Sequence, residues 1–208
     1  MSRGFFFSLE GVDGAGKTTQ VQKVAEKLRA CNYNVFTHRE PGGTEVGEGI
    51  RRLLLESAHL PDLTELLLFL AARSALMPIL VKEKAAGSVV LIDRFIDSTI
   101  AYQGFGRGLD VDDIENLNTL ATNGETPDHT WMLMVPATIS ASRRAARGDS
   151  LDRIESAGLE FSARVRHGYE EQAREYSNRI TVVDATGAVD DVAETIFRDM
   201  VKFMLSAT

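Results

Sequence analysis

A glycine-rich loop near the start of the chain constrains the fold more than any other feature. Residues 11–18 read Gly-Val-Asp-Gly-Ala-Gly-Lys-Thr, which matches the pattern Gly-x-x-x-x-Gly-Lys-Thr. The apolar residues 5–9 predict a buried strand before the loop, and residues 19–30 carry apolar side chains at helical spacing after it. A loop between a strand and a helix can turn consecutive backbone N–H groups toward phosphate oxygens. The sequence therefore predicts a nucleotide-phosphate site.

The side chains of this loop extend the prediction. Lys17 supplies a mobile positive charge for the outer phosphates, and the Thr18 hydroxyl can bind Mg²⁺. The alternative, a glycine turn with an incidental lysine, is disfavoured by the strand and the helix on either side. The residues expected to bind a nucleoside triphosphate are Gly11, Val12, Asp13, Gly14, Ala15, Gly16, Lys17 and Thr18.

Length, charge and cysteine content exclude several classes of protein. The 208 residues predict one domain, 1–208, and the single cysteine, Cys31, suits the reducing cytoplasm. The longest uninterrupted apolar run, residues 66–72, is far shorter than the about 18 residues of a membrane span, and no signal-peptide pattern is present. The net charge of −7 argues against nucleic-acid or acidic-membrane binding, so an anionic substrate needs local arginines.

Strands and helices are predicted to alternate along the chain. The predicted strands are 5–9, 33–38, 88–93, 129–135 and 179–184. The predicted helices are 19–30, 46–56, 62–86, 94–103, 110–123, 138–146, 156–176 and 189–205, with Asp62 and Glu65 as a capping box. This order predicts an α/β fold with a doubly wound parallel sheet. Ligands of such sheets bind beyond the carboxyl ends of the strands, so the loop, Arg39, Asp93, Arg94 and Asp184 should share one edge.

Residues after the third predicted strand suggest a site for Mg²⁺ and a phosphorylated ring. Asp93 is interpreted as a metal-positioning carboxylate, with a helix-capping role as the alternative. Arg94, Ser98 and Tyr102 are spaced i, i+4, i+8, which places them on one helix face, either as the wall of a ligand site or as a solvated surface. Gln103 beside them could read a base edge.

Two further groups of residues have both a functional and a structural interpretation. Phe69 and Arg73 are spaced i, i+4 and could stack on a base and bond its edge, although a phenylalanine alone is more often a core residue. Four arginines near residues 143–156 could form a mobile lid over a transferring phosphoryl group, or a solvated face. These arginines are Arg143, Arg144, Arg147 and Arg153.

Two other nucleotide-binding classes fit poorly. Asp184-Ala-Thr-Gly187 mimics a GTPase switch, but it lies near the C-terminus and the chain has no Asn-Lys-x-Asp guanine-binding motif. A dinucleotide-binding fold is disfavoured because Gly14 and Gly16 are not followed by its third glycine.

Taken together, several motifs in order resemble the bacterial thymidylate kinases, P-loop nucleoside-monophosphate kinases, over essentially the whole chain. The motifs are Phe7-Ser-Leu-Glu-Gly-Val-Asp-Gly-Ala-Gly-Lys-Thr-Thr19, Arg39-Glu-Pro-Gly-Gly-Thr44, Phe69-Leu-Ala-Ala-Arg73, Asp93-Arg94-x-x-x-Ser98, Ala101-Tyr-Gln-Gly104 and Leu151-Asp-Arg-Ile-Glu155. The resemblance implies a three-layer P-loop kinase fold with a small arginine-rich lid, and a homodimer. It also implies that the γ-phosphoryl of ATP is transferred to dTMP with Mg²⁺, giving dTDP for dTTP synthesis.

The resemblance also implies roles for individual residues. The residues implied to bind dTMP are Asp13, Arg39, Phe69, Arg73, Arg94, Ser98, Tyr102 and Gln103. Within this set, Asp13 would face the 3′-hydroxyl, Arg39 and Arg94 would hold the phosphate, and Tyr102 would favour deoxyribose. The implied metal residues are Thr18 and Asp93, and the implied catalytic residues are Asp13, Lys17, Arg94 and Arg153.

The family places an arginine either in the loop or in the lid. With Gly14 and Ala15 the loop of this chain contains no arginine, so the resemblance implies that the arginine comes from the lid. Arg153 is the first candidate and Arg147 the second, and both are expected to bind ATP. The chain departs from the family at Trp131-Met-Leu-Met134, which lacks the usual acidic residue, at Leu76, where a histidine is common, and in the short segment 41–66. Two rivals remain: a P-loop kinase for another small acceptor, and an ATP-dependent partition or regulatory switch.

Overall fold

A five-stranded parallel sheet forms the centre of the computed structural model, which describes residues 3–146, 153–154 and 158–207. Its order is β2-β3-β1-β4-β5, and every neighbouring pair is parallel. The strands are β1 Phe5–Glu10, β2 Val35–Arg39, β3 Val89–Asp93, β4 His129–Met134 and β5 Ile180–Asp184. The predicted doubly wound α/β fold is confirmed.

Helices cover both faces of the sheet. They are α1 Lys17–Ala30, α2 Glu45–Glu56, α3 Asp62–Ala85, α4 Ile96–Thr99, a π-helical segment Ile100–Gly106, α5 Val111–Thr122, α6 Ala137–Ala146, α7 Leu159–Glu175 and α8 Val189–Ser206. Successive side chains of β1 point to opposite faces. Phe7 packs in one cluster with residues of α1 and α8, while Phe6 packs in another with residues of α3. The result is three layers, with a core on each side of the sheet.

The bounds predicted for the helix at 94–103 are wrong. Arg94 has a left-handed φ of 69°, so the helix begins only at Ile96, and it continues as a π-helix to Gly106. A Cβ atom at Gly106 would lie 2.7 Å from Phe161 of α7. Glycine there permits close packing on α7 instead of ending the helix.

The capping box predicted for α3 is also wrong. Pro61 occupies the capping position, Asp62 is the first helical residue, and no side chain caps this end among the described residues. The Glu65 side chain is fully buried and binds residues of other elements. A buried acceptor with strong donors nearby has no need of the exposed backbone N–H groups.

Helix α3 has an unusual composition. Among the described residues it is the helix long and apolar enough, by length and composition alone, to cross a membrane. In this fold 44% of its most apolar window is buried against the rest of the chain. It runs without interruption through Pro78.

Candidate active site

The carboxyl ends of the strands meet at one edge of the sheet, as predicted. Asp93 at the end of β3 lies level with Leu9 of β1 and with Arg39 of β2. Beyond this edge lies a cavity of about 440 Å³. The predicted site residues that line it are Asp13, Gly14, Gly16, Lys17, Thr18, Arg39, Phe69, Arg73, Asp93, Arg94, Ser98, Tyr102 and Gln103.

The glycine loop is built for an anion. Gly11, Gly14 and Gly16 have φ values of 136°, 79° and 98°, which other residues rarely adopt. A Cβ atom at Gly14 would also lie 2.5 Å from the carbonyl oxygen of Ser140. Because Gly16 has no side chain to cap α1, the first N–H groups of that helix are left for phosphate oxygens.

Lys17 lies folded against the loop. Its Nζ donates to the carbonyl oxygens of Gly11 at 2.9 Å and of Val12 at 3.0 Å, and its side chain is buried. An ammonium group has three donors, so these two bonds leave one for a phosphate. Burial, and next the charge of Arg94, lower the pKa of Lys17 to about 8.

A side-chain oxygen of Thr18 lies next to one of Asp93. Thr18 Oγ1 donates to Asp93 Oδ2 at 2.5 Å. Mg²⁺ keeps most of its waters and takes only one or two protein oxygens beside substrate phosphates. This pair fits that demand at the start of α1. The alternative role of Asp93 as a helix cap is wrong, because Phe95 occupies the capping position of α4.

Arg94 connects the loop to the second half of the cavity. Its Nη2 donates to Asp13 Oδ1 at 2.5 Å, and its Nη1 donates to Ser98 Oγ at 3.0 Å. The Tyr102 hydroxyl donates to Asp13 Oδ2 at 2.7 Å. Burial alone would raise the pKa of Asp13, but Arg94 and then Lys17 hold it below its usual value. Asp13 is therefore ionised and accepts bonds from both groups.

Arg94, Ser98 and Tyr102 thus lie together as predicted, but not on one regular helix. Arg94 precedes α4 in a left-handed turn, and the π-helical segment carries Tyr102 to the same place. Two residues that the sequence did not single out hold this group. Glu10 accepts from the Ser98 hydroxyl at 2.6 Å, and Tyr169 of α7 lies 3.2 Å from Arg94 Nη1. The position of Glu10, directly before the loop at the end of β1, was the available signal.

Arg73 and Gln103 line the far half of the cavity beside Phe69. Arg73 is buried and donates Nε and Nη2 to Glu40 Oε2, at 2.9 and 2.6 Å. It also donates to Asn118 Oδ1 at 2.5 Å. Gln103 is buried as well, and its Nε2 donates to Glu65 Oε1 at 2.8 Å. An aromatic ring beside an arginine and an amide can stack on a planar ring and bond its edge.

Arg39 lies at the open side of the cavity. Its side chain is 48% exposed and faces the Glu48 carboxylate at 3.3 Å. Arg51 lines the same side and donates to the carbonyl oxygen of Pro41 at 3.0 Å. Sequence patterns did not identify Arg51, which α2 brings to the cavity.

Two described arginines of the predicted lid, Arg143 and Arg153, contact different elements. Arg143 of α6 reaches the loop, 3.4 Å from the carbonyl oxygen of Ala15 and 3.0 Å from that of Ala185. Arg153 lies instead against α2 and α3, 2.6 Å from Glu65 Oε2 and 3.2 Å from the carbonyl oxygen of Leu54. Arg147 and most of the predicted lid segment, 143–156, lie outside the described residues.

Comparisons with known proteins identify the family of this chain. A family model described as thymidylate kinase matches residues 9–196. The chain is similar to a thymidylate kinase of Exiguobacterium sibiricum, with 39% identity over 204 residues that cover 97% of this chain and 96% of the relative. It is also similar to the crystal structure of a thymidylate kinase from Ehrlichia chaffeensis, with a TM-score of 0.79, 33% identity, and coverage of 95% and 98% of the two chains.

Proposed function

The chain belongs to the thymidylate kinase family, and we propose that it transfers the γ-phosphoryl group of ATP to dTMP, giving ADP and dTDP for dTTP synthesis. One observation carries this proposal beyond the family. Asp13 of the glycine loop binds Arg94 and Tyr102 on the other side of the cavity, at 2.5 and 2.7 Å. The loop for ATP phosphates and the pocket for an acceptor are thus one connected site. Catalysis here rests on positioning and on stabilising charge.

The half of the cavity around the glycine loop is assigned to ATP. The backbone N–H groups of residues 11–18 and the third donor of Lys17 would hold its phosphates. Thr18 and Asp93, whose oxygens already lie 2.5 Å apart, would hold Mg²⁺. When bound, this ion neutralises charge on the phosphate oxygens.

The other half is assigned to dTMP. Phe69 would stack on the thymine ring, with Arg73 and Gln103 at its polar edge. Arg94 would bind the acceptor phosphate, joined by Arg39 from the open side. Because four of the five donors of Arg73 bond Glu40, Asn118 and the carbonyl oxygen of Phe95, a fifth, on Nη1, is left for a base oxygen.

The deoxyribose and the phosphate of dTMP would lie between the glycine loop and the residues assigned to the base. Asp13 would accept a bond from the 3′-hydroxyl, and Ser98 lies beside Arg94 at the phosphate. The Tyr102 ring would occupy the space of a 2′-hydroxyl, which favours deoxyribose. The Asp13–Tyr102 bond joins this side chain to the glycine loop.

We assign the stabilisation of negative charge in the transition state to an arginine of the lid, because the glycine loop has Gly14 and Ala15 and no arginine. Arg153 is the first candidate and Arg147 the second, both at the ATP phosphates. For this role Arg153 has to exchange Glu65 for a phosphate. Arg143 already lies at the loop and adds positive charge there.

We also propose a cytoplasmic homodimer. The outer faces of α2 and α3 carry large apolar side chains that are 49–59% exposed: Val46, Leu53, Leu63 and Leu67. These two helices contact each other. Exposed apolar side chains on neighbouring helices are the kind of surface that a second copy covers.

ADP release from ATP, measured with a panel of nucleoside monophosphates, tests the proposed substrate. We expect dTMP to stimulate release far more than dCMP, dGMP, dAMP or UMP, and Lys17→Met to abolish it. Equal stimulation by another monophosphate would favour the rival kinase. Slow hydrolysis that is indifferent to every acceptor would favour a regulatory switch.

A further inference from the structure

The buried carboxylate of Glu65 lies next to the base end of the cavity and has no role in the chemistry described so far. Its side chain is 0% exposed. It accepts from Gln103 Nε2 at 2.8 Å and from Arg107 Nη2 at 3.0 Å, and Arg153 Nη2 lies 2.6 Å away. The π-helical segment, Arg107 and Arg153 thus meet at this carboxylate of α3.

Glu65 is ionised. Burial raises its pKa, but the hydrogen bonds from Arg107, Gln103 and Arg153 outweigh burial and hold the pKa below its usual value. An ionised carboxylate only accepts hydrogen bonds. The side-chain amide of Gln103 can therefore meet Glu65 only through its NH₂ group.

Because the NH₂ group faces Glu65, the orientation of the amide oxygen of Gln103 is fixed as well. The Oε1 atom of Gln103 points away from Glu65, and no described residue donates a hydrogen bond to it. Gln103 is also one of the residues that line the cavity. In the reverse orientation Oε1 would lie against Glu65 Oε1, so that one acceptor would face another with no donor between them.

We propose that Glu65 is a specificity-determining positioning residue that locks the Gln103 amide with Oε1 toward the base. This inference rests on the proposed function, because it concerns the acceptor pocket. Thymine carries a hydrogen at N3, which an acceptor can bind, between two oxygens. Cytosine carries a lone pair at N3 and an amino group at C4. The fixed acceptor of Gln103 and the donor of Arg73 match the N3 hydrogen of thymine and an oxygen beside it. They are repelled by the N3 lone pair and the amino group of cytosine.

The test compares dTMP with dCMP in Glu65→Gln. A neutral amide at residue 65 can donate or accept, so the Gln103 amide is free to turn and bind cytosine. We expect the ratio of kcat/KM for dTMP to that for dCMP to fall at least about tenfold, the effect of one charge-assisted hydrogen bond. The change should lie mainly in a lower KM for dCMP.

A double-mutant cycle separates positioning from general damage. In a Gln103→Leu background, Glu65→Gln should change the ratio by less than about twofold, since the residue through which Glu65 acts is gone. Asp62→Asn is the matched control: Asp62 also faces Arg107, at 3.5 Å, but has no bond to Gln103. It should keep the parent ratio.

Each outcome decides the inference. Glu65→Gln with an unchanged ratio, or with an equal loss in the Gln103→Leu background, overturns it and leaves the kinase proposal intact. If Glu65→Gln does not fold by circular dichroism, the Glu65→Gln/Arg107→Gln pair, which removes one charge of each sign, is measured in its place. Calorimetry without ATP gives the ratio of the affinities for dTMP and dCMP, which does not depend on phosphoryl transfer. A parent that discriminates in binding but does not phosphorylate therefore contradicts only the proposed function.

Discussion

Replacing Glu10 by glutamine should remove a pH dependence from the stability of this protein. Glu10 is fully buried at the end of β1 and accepts from the backbone N–H of Phe95 at 2.6 Å and from the Ser98 hydroxyl at 2.6 Å. Burial, and next the charge of Asp97, raise its pKa from 4.5 to about 7. The folded state therefore binds this proton more tightly than the unfolded state.

The sign and size of the effect follow from linkage. With the folded pKa above the unfolded one, the stabilising contribution is fully present below pH 4.5 and is lost as the pH rises through 7. At 1.36 kcal/mol for each pH unit, the whole loss is about 3 kcal/mol. About 2 kcal/mol of it falls between pH 5.5 and 8, which corresponds to roughly 4–8 °C in Tm for a chain of this size.

Urea unfolding of the parent and of Glu10→Gln at several pH values between 5.5 and 8 measures this loss. Because the amide does not titrate, the free energy of unfolding of the parent should fall relative to the variant by about 2 kcal/mol over that range. A pH-independent loss of stability in the variant can be added to this change without affecting the argument, because only the change with pH is predicted. Glu26→Gln, at an exposed site on α1, is the control. Its free energy of unfolding should change with pH in the same way as that of the parent. A difference between parent and Glu10→Gln that does not change with pH would refute the reasoning.

Three further predictions concern the sugar, the lid and the dimer. Tyr102→Ala should raise the relative kcat/KM for the ribonucleotide of thymine by about tenfold, whereas Tyr102→Phe keeps the ring and should keep the discrimination; equal ratios in all three proteins would remove Tyr102 from this role. Arg153→Ala should lower kcat at least about tenfold with little change in dTMP affinity, and a collapse of dTMP binding with surviving turnover would place Arg153 at the acceptor. Light scattering should give twice the 22.8 kDa of the chain, and Leu67→Glu but not Leu205→Glu should halve it; a monomeric parent would contradict the dimer.

The sequence predicted the parts of the site that depend on local pattern. The glycine loop, the strand ends and the proximity of Arg94, Ser98 and Tyr102 follow from short motifs and from the rule that parallel strands end at one edge. Each of these signals lies within a few residues, where spacing along the chain determines spacing in the fold.

The partners of the site residues could not be predicted in the same way. Arg73 binds Glu40, which lies 33 positions earlier in the chain, and Gln103 binds Glu65, 38 positions earlier. Which carboxylate each one meets depends on how α3 packs against the end of β2 and against the π-helical segment. The same holds for Gly106, which lies beyond the helix end predicted at residue 103 and packs closely against Phe161 inside the π-helical segment.

The most direct test of the proposed function follows the phosphoryl group itself. With ATP labelled at the γ-phosphate, Mg²⁺ and dTMP, chromatography of the products should find the label in dTDP, with none transferred when a chelator removes the metal. Label released as inorganic phosphate, at a rate that dTMP does not change, would contradict phosphoryl transfer to this acceptor.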